Sequence, residues 1–128
     1  MKTQLTTDNR ERLRGAWSTE MDAARKARGE SDAQREWSHL ERAHILSQPL
    51  AGPHVRTHAA MFGAAVRKRE PREIVGQAMR LVVAGPGSLT GRYPVGNTGG
   101  ADVSAFKPMT IPDDLRALLE DKAPQGAP

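Results

Sequence analysis

A chain of 128 residues with 19 Lys and Arg against 15 Asp and Glu has length for one domain and a formal charge of +4. The absence of cysteine excludes disulfides, Cys-ligated zinc, iron-sulfur clusters and thiol nucleophiles. Two Trp, two Phe and one Tyr leave the core to Leu, Val, Ile, Met and Ala, an inventory that suits interdigitated helices better than a β-sandwich.

The first 84 residues read as helices with brief breaks, whereas the last 44 hold seven Gly and six Pro and predict an irregular tail. A first helix is expected from Asp8, capped with Glu11 three residues on, to Gly29, with Leu13, Ala16, Trp17, Glu20, Met21 and Ala24 inward. A second opens on Ser31 and Gln34 in capping-box spacing and turns Ala33, Trp37, Leu40, Glu41, His44, Ile45 and Gln48 to one face. A third starts at Pro53 and shows Val55, His58, Ala59, Phe62 and Val66 inward. A fourth starts at Pro71, with Ile74, Gln77, Ala78, Leu81 and Val82 inward, and a short fifth runs from Asp113 to Glu120. Short connections make consecutive helices antiparallel neighbours, so the expected fold is all-α: two helical hairpins, tetratricopeptide-like or a bundle, with the tail wrapped over them.

Each of the four long helices carries a polar residue where packing alone wants an aliphatic one: Glu20, Glu41 with His44, His58, and Gln77. Buried polar groups of this kind are normally paired or bound to a cation. Glu41 and His44 stand in the Glu-x-x-His spacing that aims an oxygen and a nitrogen at one ion. His44 precedes the helix 2 to helix 3 turn by about as many residues as His58 follows it, so an antiparallel hairpin levels the two. The expected metal ligands are therefore Glu41, His44, His58 and Glu20, a set suited to divalent Fe, Mn, Zn, Ni or Cu. His54, closer to the turn, is expected to be exposed, and His39 falls on the outer face of helix 2. The competing reading is a non-enzymatic hairpin adaptor for a partner protein, in which the Glu and His side chains only tie helices together. No nucleophile or cofactor motif stands out, so an enzyme ranks third and no catalytic residue is assigned.

The stretch Gly91 to Gly100 lacks the Lys-Ser/Thr ending of a phosphate loop and reads as a packed irregular loop. Val95, Val103, Phe106, Met109 and Ile111 are expected to cover a groove of the helices, and Asp121 to Pro128 to fray. The charge excess belongs to residues 1 to 70, in short Arg and Lys groups mixed with acids, which argues against nucleic acid. No segment has the length or apolarity of a signal peptide or membrane span, and a soluble, cytoplasmic protein is expected.

His39-Leu40-Glu41-Arg42-Ala43-His44, the His54 to His58 stretch, Gly91 to Gly100, and Pro108-Met109 with Ile111 to Leu115 together resemble a family of small bacterial proteins of unknown function. The resemblance covers about residues 15 to 119 and implies a single bacterial domain, with no activity, cofactor or catalytic residue attached.

Overall fold

The computed structural model describes residues 5–90, 95–101 and 108–120. The helices are α1 (Thr7–Gly29), α2 (Ala33–Ser47), α3 (Ala51–Lys68), α4 (Pro71–Thr90) and α5 (Asp113–Leu119), and no strand occurs among the described residues. The fold is all-α. Gly91 to Pro94 of the glycine-rich loop, Val103 and Phe106 of the expected groove cover, and the end from Asp121 that is expected to fray lie outside the described residues.

Local chemistry moves several helix ends from their expected places. Thr6, in extended backbone, caps α1 by accepting the Asn9 N–H at 3.3 Å, so Asp8 falls in the first turn, where its charge favours the helix dipole. Asp32, not Ser31, caps α2 through the Arg35 N–H at 3.0 Å, because Ser31 sits in the left-handed region at φ 58°. α3 begins at Ala51, leaving Pro53 within the first turn, where no N–H is required. The largest difference is α4, which continues to Thr90 with Pro86 inside it instead of stopping before Gly85.

α1 packs on α2, α2 on α3 and α3 on α4, while α5 lies against α1 and α2. One core cluster joins Met21, Ala24, Leu40, Ala43, Met61 and Ala64, with Trp17 and Trp37 at its edge. A second joins Leu13, Ile45, Leu46, Leu50 and Leu115, with Ile111 against it, so α5 closes the end of α1 and α2 where this cluster sits. Trp17 also spans three helices by a polar route: its indole N–H donates to Thr57 Oγ1 at 2.8 Å, and Thr57 donates to the Pro53 carbonyl at 2.8 Å and meets Ser47 Oγ at 3.3 Å. Not every expected inward residue is inward. Val55, Val66 and Val82 are 36%, 47% and 75% exposed, since α3 turns His54, Thr57, His58, Met61, Ala64 and Ala65 inward and α4 turns Gln77 and Ala84 inward instead.

Candidate metal centre

α2 presents His44 three residues before its end, and α3 presents His54 and His58 one turn apart, a spacing that puts both rings on one face. All three side chains are buried, at 3%, 5% and 3% exposure. Their Nε2 atoms form a nearly equilateral triangle: His44 to His58 3.0 Å, His44 to His54 3.1 Å, and His54 to His58 3.2 Å. Among the described residues this is the group of His, Asp or Glu side chains whose ligand atoms converge.

The other nitrogen of each ring fixes its tautomer. His44 Nδ1 lies 2.6 Å from the Asn97 carbonyl oxygen, and His54 Nδ1 lies 3.1 Å from that of Ala84. His58 Nδ1 lies 2.6 Å from Gln77 Oε1. That amide has one orientation, because its Nε2 donates to the Glu73 carboxylate at 2.8 Å and to the Gly99 carbonyl at 2.7 Å. All three partners accept, so all three Nδ1 atoms carry the proton and all three Nε2 atoms present a lone pair. Neutral rings in these tautomers cannot hydrogen-bond to one another through Nε2. The three Nε2 atoms face one point.

Protonation is not the remedy, since burial works against it. Burial first, then the neighbouring His58 and His54, holds His44 well below the ordinary imidazole range. Burial and His58 push His54 down to about 4. His58 is lowered by burial and by Arg80, against the opposing hydrogen bond to Gln77. The unfolded chain therefore takes up protons below pH about 6.5 that the folded, metal-free protein refuses, and acid favours the unfolded state. With His44, His58 and Arg80 around it, His54 alone is expected to cost about 1.4 kcal/mol per pH unit between pH 6.5 and its folded value of about 4. Urea midpoints in chelator at pH 7, 6 and 5 measure this, and a flat profile would contradict it.

The triangle has the dimensions of a ligand face. At metal-nitrogen distances of about 2.0–2.1 Å, ligand nitrogens stand about 3.3 Å apart in a tetrahedron and about 2.9 Å apart on an octahedral face. The observed sides of 3.0 to 3.2 Å fall between those limits.

Residues 95–101 strap the centre to the helices. Besides the Asn97 and Gly99 carbonyls, Gly96 N–H donates to Gln48 Oε1 at 3.1 Å, and Ala101 N–H donates to Glu73 at 2.9 Å. Gly99 stands at φ 85° with its Cα on the His44 ring: a Cβ there would lie 2.6 Å from His44 Cδ2. Residues 95–101 are thus a packed lid on the histidines. Gln77→Leu keeps the volume of the side chain but removes three hydrogen bonds, and metal affinity is expected to fall 10- to 100-fold, measured by competition with a chromophoric chelator.

Of the residues expected as ligands, the structure brings His44 and His58 together and adds His54. Glu20 stands elsewhere, accepting from Arg42 Nε at 2.8 Å and meeting His39 Nδ1 at 2.7 Å. Arg42 reaches on to Asp114, so this ion-pair chain ties α1 and α2 to α5 and occupies the Glu20 carboxylate. Glu41 lines a surface depression with Trp37, Ser38 and Lys68 and does not converge on the histidines. Nearness to the turn predicts an exposed His54, whereas its i, i+4 spacing with His58 is the signal in the sequence that points to the buried face they share. Nothing in the sequence marks the Ala84 and Asn97 carbonyls.

Residues 11–119 match a family described as a protein of unknown function, DUF3703. The chain belongs to that family. No curated protein and no solved structure matches it. The matched span of this DUF3703 member includes His44, His54 and His58, Gln77 and the strap, so the whole centre lies inside the family domain. No described helix is long and apolar enough to cross a membrane.

Proposed function

We propose that the protein binds one divalent transition-metal ion through Nε2 of His44, His54 and His58. The observation that carries the reading is the tautomer pattern: three oxygen acceptors hold the Nδ1 protons and leave three buried lone pairs within 3.2 Å of one another. Facing lone pairs in a low-dielectric interior repel, and a cation at their centre turns that repulsion into three bonds. Imidazole nitrogen without thiolate or carboxylate suits zinc, copper, nickel, cobalt or iron(II) and disfavours magnesium and calcium. The acceptors behind the rings supply the outer hydrogen bonds that metal-bound histidines use to fix orientation and raise basicity.

Purification without an affinity tag, followed by elemental analysis, tests the reading. One equivalent of metal per chain is expected in the natural protein, and none in a His44→Ala, His58→Ala double variant. The melting temperature of metal-stripped protein is expected to rise on adding the cognate ion, since the folded state alone holds the three nitrogens in register. Equal metal content in both proteins, or no shift with any first-row divalent ion, would overturn it.

A further inference from the structure

α4 has two faces with different chemistry. Its inner face supplies Gln77 and the Ala84 carbonyl to the histidines. Its outer face carries Val75, Met79, Val82 and Leu89, which are 61%, 69%, 75% and 80% exposed. With exposed Pro86, these positions run 75, 79, 82, 86, 89, alternating steps of four and three. That is a heptad seam of about two repeats, the pattern by which one helix packs along another.

Charge decides what the seam faces. From Ile74 to Thr90 the only charged residue is Arg80, which is half-buried and falls outside the seam positions. Between Val75 and Leu89 identical copies of this face meet without like-charge repulsion, and the exposed, seam-flanking Ala78 is small enough for two helices to approach closely. A membrane surface is the poorer occupant, since interfacial helices border their apolar face with many Lys and Arg, and this helix offers only Arg72, in its first turn at the near end of the seam. Area agrees. At their observed exposures the four large side chains offer roughly 400 Å² per copy, and with Pro86 and the flanking backbone the pair buries on the order of 1,000 Å², about the minimum of a specific interface.

We infer that the outer face of α4 is a homodimer interface, formed by the Val75, Met79, Val82, Pro86 and Leu89 seam of two copies about a twofold axis. Val82 is the middle residue of the seam and therefore lies opposite its own counterpart whether the two helices run parallel or antiparallel.

Light scattering on the full-length protein at tens of micromolar is expected to give twice the chain mass of 13.9 kDa. Met79→Glu, Val82→Glu places four carboxylates in the seam and is expected to give a 13.9 kDa species with the helical circular dichroism retained. Natural protein that runs as a monomer at every concentration up to about 100 µM, or a double variant of unchanged mass, overturns the inference. A second measurement does not depend on the double variant folding. In this cysteine-free chain, mild oxidation is expected to cross-link Val82→Cys into a covalent dimer at least tenfold faster than Ser18→Cys, an exposed position on α1. Equal rates overturn the inference, as does monomeric protein that sediments with neutral or anionic vesicles. None of these readouts requires the histidines to hold a metal.

Discussion

His54→Leu is expected to weaken metal binding by more than 100-fold while leaving the metal-free protein as stable as before, or more stable by up to about 1 kcal/mol. The first half follows from losing one of three ligands, a larger change than the loss of a supporting hydrogen bond, which already costs 10- to 100-fold. The second half follows from the repulsion. In the metal-free protein His54 Nε2 faces the lone pairs of His44 and His58 at 3.1 and 3.2 Å, and leucine removes it while filling similar space. The Ala84 carbonyl, deprived of the His54 N–H, still lies within α4 and keeps its helical surroundings. A purely structural hydrogen-bond network predicts the opposite sign, a loss of about 1–3 kcal/mol when a buried member is removed. Chelator competition and urea unfolding in EDTA, run on the same two proteins, separate the two accounts.

Gly99→Ala is expected to be among the most damaging single methyl additions in the chain. The backbone at φ 85° already disfavours any L side chain by about 1–3 kcal/mol. The new Cβ would also lie 2.6, 2.7 and 2.9 Å from Cδ2, Cγ and Nε2 of His44. Either His44 turns away from the triangle or the strap retreats, and retreat breaks the bonds from His44 to Asn97 and from Gln77 to Gly99. A loss of about 2–4 kcal/mol in urea unfolding is expected, with metal affinity reduced at least tenfold. Gly15→Ala is the control, since nothing stands within 4 Å of a Cβ there and alanine favours the helix. Equal effects at the two positions would contradict the role of the strap.

The helical body was legible in the sequence because periodicity reports burial directly, as the Leu13, Met21, Leu40 and Ile45 positions do. The same logic failed on α4 beyond Ala84. Gly85, Pro86 and Gly87 read as breakers, yet a proline removes one hydrogen bond and not the turns on either side, and α4 runs on to Thr90. His54 is instead met by the carbonyl of Ala84, the last residue of the helix that periodicity does mark. Matching His44 and His58 across the hairpin worked because antiparallel helices preserve level. The rule that a buried carboxylate needs a partner does not say which cation is nearest, and Glu20 meets Arg42 and His39 on the adjacent helix. The supporting carbonyls were invisible because any residue type supplies one.

The Trp17 to Thr57 hydrogen bond gives this protein an optical property that requires no labelling. The indole is tied to the α3 turn that carries His54 and His58, and the Ser47 hydroxyl, in contact with Thr57, donates in turn to the His44 carbonyl at 3.0 Å. A copper(II) or nickel(II) ion held by those rings would sit within quenching range of an intrinsic fluorophore. With Trp37 replaced by Phe, the emission of a single tryptophan becomes a continuous record of metal arrival and departure, on the stopped-flow timescale and at submicromolar protein.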